Sequence, residues 1–259
     1  GTSCTTPAIL RMGGEAYSEI GVEKSSGTKL ISVSGNVQRP GNYEVELGTS
    51  SREIIYGLAG GPPEGHEVKL WFPGGSSSPV LTKDDLDLSY DFDTMAKAGS
   101  MLGSGAIIVV DDTNSVVDVC LKLAQFYRHE SCGKCTPCRE GTSWLEKILE
   151  RILDGHGRPE DLDLLLDVCD NISVGMNWPP KQTTICPLGQ SATTPVASAI
   201  MRRMSRAGIV SATSPVVTKC VDHGRPSTAA RMKSSVTLTE LLAFWKKIEP
   251  YAGPSSELS

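Results

Sequence analysis

Tyr43-Glu-Val-Glu-Leu47 alternates strictly between apolar and charged positions, the period of a half-buried strand. Lys29-Leu-Ile-Ser-Val33 alternates too, and the turn Arg39-Pro-Gly-Asn42 separates the two runs. A helix fits Ser51 to Ala59, where Gly60-Gly61-Pro62-Pro63 stops it. Val68 to Phe72 reads as a third strand. Ala106 to Val110, apolar throughout, has the length of one buried strand. The runs Gly74 to Pro79 and Gly99 to Gly105 are expected to be loops. Two strands, a helix and two more strands over residues 28–112 predict a small α+β domain.

The period then changes to that of helices. Val116, Val119, Cys120, Leu123 and Tyr127 fall on one face of a first helix. Trp144, Leu145, Ile148, Leu149 and Ile152 fall on one face of a second, which Gly155 stops. A third is expected to open with Pro159, with Glu160 and Asp161 in its first turn and Leu162, Leu165, Leu166 and Cys169 as its apolar face. A fourth is expected to open with Thr194-Pro195 and to carry Val196, Ala199, Ile200 and Met204, with Arg202, Arg203 and Arg206 at its C-terminal end and Gly208 ending it. Four helices on short loops over residues 113–206 predict a bundle. Before these two domains, residues 1–27 hold one helical stretch, Ala8 to Ile20. After them, residues 207–259 are rich in Ser, Thr and Pro, with one short helix expected behind the capping box Thr237-Leu-Thr-Glu240.

Composition removes some function classes. A net charge of −5 and a pI near 5.5 argue against a chain that binds phosphate backbones, and 5% aromatic residues argue against a base-stacking surface. We therefore expect no nucleic-acid partner. The longest apolar run is far short of the roughly 18 residues that span a bilayer, so no membrane insertion is expected. The first ten residues lack the basic start and apolar core of a signal peptide. No Gly-x-Gly-x-x-Gly follows a strand, which leaves the pairs Gly60-Gly61 and Gly74-Gly75 as turns. Asp84-Asp85 and Asp111-Asp112 read as solvated turns. We find no catalytic triad.

The chemistry is concentrated in Ser131-Cys-Gly-Lys-Cys-Thr-Pro-Cys-Arg139. Three of the eight cysteines lie within seven residues there, a crowding that suits a metal centre in a reducing compartment. A Cys-x2-Cys-x2-Cys loop can wrap three thiolates around three corners of an iron–sulfur cube. Gly133 allows the tight turn, and Pro137 offers no N–H and stiffens the loop. A helix beginning at Arg139 would aim its positive end at the anionic cluster, with Lys134 and Arg139 offsetting charge. A fourth thiolate is required. Cys186, in a loop and followed by Pro187, is the candidate. Cys120 and Cys169 fall on apolar faces and read as structural thiols. Cys4 and Cys220 are assigned no role. His129 is read as a helix-end residue beside Glu130. The alternative is a zinc-stabilised interaction module. Zinc usually takes Cys-x2-Cys pairs from two separate knuckles, which this spacing fits poorly.

Glu130-Ser-Cys-Gly-Lys-Cys-Thr-Pro-Cys-Arg-Glu-Gly-Thr142 closely resembles the flavin-carrying, NADH-oxidising subunit of respiratory complex I. Related diaphorase subunits of NAD-dependent hydrogenases and formate dehydrogenases share the pattern. The resemblance runs from Gly13-Gly14 through Gly27-Thr-Lys-Leu30, Ser34-Gly-Asn-Val37 and Arg39-Pro-Gly41 to about Met204. It implies a soluble-ligand-binding β-grasp domain at 28–112 and a [4Fe-4S] helical bundle at 113–206, with 1–27 a remnant of the flavin domain. It implies electron transfer through a [4Fe-4S] cluster, with FMN and NADH bound only in the full-length subunit. The implied partners are a thioredoxin-like [2Fe-2S] subunit and a large multi-cluster subunit, in the peripheral arm on the cytoplasmic or matrix side of a membrane. On this resemblance the chain is a C-terminal fragment and is not expected to be catalytic alone. Two departures stand out: an insertion over Val174 to Lys181, and the divergent tail at 207–259.

Overall fold

The computed structural model describes residues 2–158, 160–174 and 181–206. The expected helix start at Pro159, most of the expected insertion, Gly208, Cys220 and the capping box at Thr237 lie outside them. Contacts divide the chain into two compact units, with the boundary between Asp112 and Thr113.

The first unit opens with α1 (Thr2–Met12) and α2 (Gly14–Ser18). The helix expected over 8–20 is therefore two, broken at Gly13, whose φ of +92° is outside the helical range. Two short strands, β1 (Gly21–Val22) and β2 (Ser25–Ser26), pair antiparallel. The main sheet has five strands: β3 (Thr28–Gly35), β4 (Gly41–Glu46), β5 (Val68–Phe72), β6 (Leu81–Thr82) and β7 (Ala106–Asp111). Their order is β4-β3-β7-β5-β6. The last of these strands enters the middle, parallel to β3 with Val33 beside Ile107, and antiparallel to β5 with Trp71 beside Val109. Ile31, Val33, Trp71, Ile107 and Val109 turn to one face and close over Ile54 and Ile55.

Ile54 and Ile55 belong to the helix expected at 51–59. From Glu53 to Leu58 it is a π-helix, with the Ala59 N–H donating to the Ile54 carbonyl five residues back. Its widened end is held from outside. The Arg39 guanidinium donates to the carbonyls of Gly57 (2.8 Å) and Leu58 (3.2 Å), and the Gln38 amide to that of Gly60 (2.9 Å). Each Asp pair departs from the solvated reading at one residue, while Asp84 and Asp112 are exposed. The Asp85 carboxylate accepts from the Thr82 N–H and hydroxyl, capping a single 3-10 turn. Asp111 is buried at the end of the central strand β7, while Asp112 is exposed and pairs with His66. A short helix not expected from the sequence, α3 (Phe92–Lys97), is capped by the Asp91 carboxylate on the Thr94 N–H.

The second unit holds α4 (Val116–Glu130), α5 (Thr136–Leu153), α6 (Asp161–Ile172) and α7 (Leu188–Arg206). α4 packs on α5 and α7, and α6 packs on α5 and α7. Some predicted faces are rotated. In α4 the buried stripe is Val116, Val117, Cys120, Leu121, Ala124 and Tyr127, with Val119 and Leu123 only half-buried. In α5 Leu145, Ile148 and Leu149 are buried, but Trp144 is 55% exposed. A buried polar residue, Glu146, takes inward space instead and pairs with Arg128 of α4. α7 begins six residues before the expected Thr194-Pro195, so Pro195 sits inside it. Pro195 removes a helical donor. The Thr193 and Thr194 hydroxyls donate to the Gln190 carbonyl at 2.9 Å each, one residue before the Ser191 carbonyl that lacks its Pro195 donor.

Asp161 stands in the first turn of α6, as expected, yet it is 1% exposed and does more than serve the helix dipole. Its carboxylate accepts from Arg151 of α5 and from the Arg158 N–H at 2.8 Å, tying two helices together. Burial pushes this carboxyl up, but the guanidinium and the N–H pull it below its ordinary range. The pair thus stabilises the fold above the usual carboxylate range, and that stability is lost as pH falls through the depressed value.

Candidate metal centre

The loop from Ser131 to Cys135 connects α4 to α5. α4 ends at Glu130, with the Ser131 N–H donating to the Tyr127 carbonyl. Gly133 turns the loop at a φ of +74°, a region that costs other residues strain. α5 starts at Thr136, three residues earlier than the expected start at Arg139. Cys135 is its N-cap residue and Pro137 stands within its first two positions. Pro is tolerated there because the first helical N–H groups have no intrahelical partner. The positive end of α5 is therefore interleaved with the thiols rather than standing behind them.

Cys138 is buried, Cys135 is half-buried, and Cys132 and Cys186 are exposed. The loop bearing Cys186 reaches the three-cysteine loop through its backbone, since the Ile185 N–H donates to Cys135 Sγ at 3.3 Å. That loop is fixed from two sides. Thr183 donates to the Asn171 carbonyl at 3.1 Å and to that of Ile172, and the Thr184 hydroxyl donates to the Cys186 carbonyl at 3.0 Å. Beside it, β8 (Ser173–Val174) and β9 (Lys181–Gln182) pair antiparallel across the expected insertion. Burial pushes the Cys138 thiol up. The Ser131 hydroxyl pulls it back, and Cys186, Cys135 and Cys132 lie near enough to raise it further, leaving a net rise. Four thiols thus share one locality. Their mutual repulsion as thiolates is what a cationic centre would relieve.

The charged neighbours differ from expectation in detail. Lys134 is exposed at the loop's tip. Arg139 spends its guanidinium on Glu140 (2.7 Å) and on the Gly133 carbonyl (3.0 Å), so it pins the turn. His129 pairs with Glu130 at 3.1 Å. Cys169 lies in the helical core, and its thiol donates to the Thr193 carbonyl at 3.8 Å. Burial first, then Asp170 and Cys120, push it far up. Cys120 is pushed up by burial to about 12. Both remain protonated thiols at neutral pH. Cys4 falls within α1, in the other unit.

Two residues with a part in this site carry no metal-ligating group of their own. Ser131 bonds to the Cys138 sulfur at 3.4 Å. Gly141, one turn after Cys138, lies where a Cβ would come within 2.5 Å of Ile172 side-chain carbons, so α6 closes on α5 directly behind the loop. A glycine inside an otherwise regular amphipathic helix is the sequence signal that marks such a contact.

Residues 118–205 match the NADH-ubiquinone oxidoreductase-F iron-sulfur binding region, and residues 30–81 match the SLBB domain. The chain belongs to the family of NADH-quinone oxidoreductase F subunits. The F subunit of Mycobacterium tuberculosis H37Rv is 47% identical over 77% of the chain and 43% of its own length. That of Escherichia coli K12 is 40% identical over 80% of the chain and 46% of its own length. The chain therefore spans less than half the length of these relatives. Among solved structures, an NAD+-reducing [NiFe]-hydrogenase in the air-oxidized state matches with a TM-score of 0.63 and 29% identity, over 77% of this chain and 33% of that one.

Proposed function

We propose that this chain holds one [4Fe-4S] cluster on Cys132, Cys135, Cys138 and Cys186. In this reading it serves as the one-electron station of an NADH-oxidising subunit of an NADH:quinone oxidoreductase. The observation that carries the reading is the Ile185 N–H at 3.3 Å from Cys135 Sγ, which brings the Cys186 loop onto the three-cysteine loop. When bound, the cluster supplies one-electron chemistry, whereas a flavin accepts a hydride. The chain's own residues do the rest. The Ile185 N–H and the Ser131 hydroxyl donate toward sulfur, the first turn of α5 offsets negative charge, and the buried side of Cys138 excludes water. The zinc alternative is less well supported. Zinc usually takes Cys-x2-Cys pairs from two separate knuckles, whereas this chain has one run of three cysteines and a distant fourth.

In the same reading the first unit is a β-grasp domain, supported by the parallel central pair β3 and β7 flanked by antiparallel strands. The second is a four-helix bundle that carries the cluster. FMN and NADH are assigned to the part of the full-length subunit that this chain does not span. The partners are a thioredoxin-like [2Fe-2S] subunit and a large multi-cluster subunit, on the cytoplasmic or matrix side. Among the described residues no helix is long and apolar enough to cross a membrane, which is compatible with a peripheral arm. The similarity to the NAD+-reducing hydrogenase supports a second reading, a diaphorase subunit, with the same cluster on the same thiols.

Anaerobically reconstituted protein is expected to hold about four irons and four sulfides per chain. Iron and sulfide analysis with EPR of the reduced sample tests this. Stoichiometric zinc with no cluster signal would overturn it. The chain alone is expected neither to retain FMN nor to reduce ferricyanide with NADH, and flavin-dependent turnover without added subunits would refute that assignment.

A further inference from the structure

We propose that Ser131 tunes the reduction potential of the bound cluster, by donating its hydroxyl proton to the Cys138 sulfur; this rests on the cluster reading above. The protonation state of a ligating sulfur decides the direction of the bond. Ser131 Oγ stands 3.4 Å from Cys138 Sγ, and the Gly133 N–H donates to the same oxygen at 3.4 Å. The N–H occupies one oxygen lone pair, and the hydroxyl proton is a donor in its own right. A ligating thiolate has no proton of its own, so it can only accept. The result is a short relay, Gly133 N–H to Ser131 O–H to Cys138 sulfur, in which each bond polarises the next.

The relay is held in place independently of the thiols. The Gly133 carbonyl accepts from Arg139 at 3.0 Å, and the Ser131 N–H is bonded to the end of α4. Cys138 is the buried thiol of the four, so the hydroxyl acts where water competes least. A hydrogen bond to a ligand sulfur stabilises the reduced cluster more than the oxidised one, because the added electron raises the charge on sulfur. Ser131 therefore raises the potential. It is a positioning residue that acts through Cys138, and it binds no iron itself.

The test is an EPR-monitored redox titration of the full chain, reconstituted anaerobically and reduced with dithionite. Ser131→Ala is expected to lower the reduced-to-oxidised ratio at a fixed potential by about tenfold, which is about 59 mV for one electron. Ser131→Thr keeps the hydroxyl and is expected to titrate like the natural chain. If the alanine variant does not load, Ser131→Val, matched to Thr in shape, repeats the comparison. A cluster with an unchanged potential in the alanine or valine variant overturns the proposal and leaves the cluster reading intact. So does a shift in Ser131→Thr as large as in the variants without a hydroxyl. A natural chain that takes up no iron or sulfide overturns both.

Discussion

Cys186→Ser should lose the cluster or leave an unstable, iron-depleted form, while Cys169→Ser should keep the EPR spectrum and lose only some stability. Both cysteines lie C-terminal to the three-cysteine loop, and spacing alone permits either. Their surroundings separate them. Cys186 is exposed in a loop whose preceding N–H already points at Cys135 Sγ. Pro187 follows it and carries no competing donor. Cys169 is buried among helices, donates its proton to the Thr193 carbonyl, and has its ionisation opposed by burial, Asp170 and Cys120. A thiolate there would put an anion among apolar side chains without compensation. Serine in place of Cys169 can keep a bond to the Thr193 carbonyl, so the expected cost is modest. Iron content and EPR of the two variants decide the matter, and the reverse pattern would refute the assignment.

The three-cysteine loop is legible in the sequence because it is local: three thiols, a glycine and a proline lie within seven residues, and each has a short-range reason to be there. The position of the helix behind it is harder to read. Pro137 marks the start of α5 only if Pro is placed in its first turn, so the cap moves from the expected position to Cys135. The same residue type misleads in α7. Pro195 looks like a start signal, but Leu188 is the start, and the helix runs through the proline. Trp144 shows the limit of periodicity. A helical face roughly 100° wide admits more than one rotation, and the inward face holds Glu146, paired with Arg128, in place of Trp144. Ser131 is not legible as a site residue, because its role depends on a sulfur seven residues away that only the folded turn brings back.

Trp71→Ala is expected to destabilise the strand unit by about 3–5 kcal/mol, the usual cost of removing a large aromatic side chain from a core. Trp71 has no exposed surface and sits where three strands meet, opposite Val109 of β7 on one side and Leu81 of β6 on the other. Its indole N–H also donates to the Thr82 carbonyl at 3.1 Å, across the short β6 pairing. The sequence could not single it out, because Val68-Lys-Leu-Trp-Phe72 has no clean alternation. Leu70 and Phe72 are buried as well, on the face opposite Trp71, so both faces of β5 are covered. Trp71→Phe separates the two contributions: it keeps most of the apolar volume and removes the donor. It should cost about 1–3 kcal/mol, the penalty for a carbonyl left without its partner. Urea unfolding followed by far-UV circular dichroism measures both variants. An unchanged midpoint for Trp71→Ala would mean that β6 and β7 pack without the indole. Equal losses for the two variants would mean that the hydrogen bond to Thr82, rather than the ring, holds β6 to the sheet.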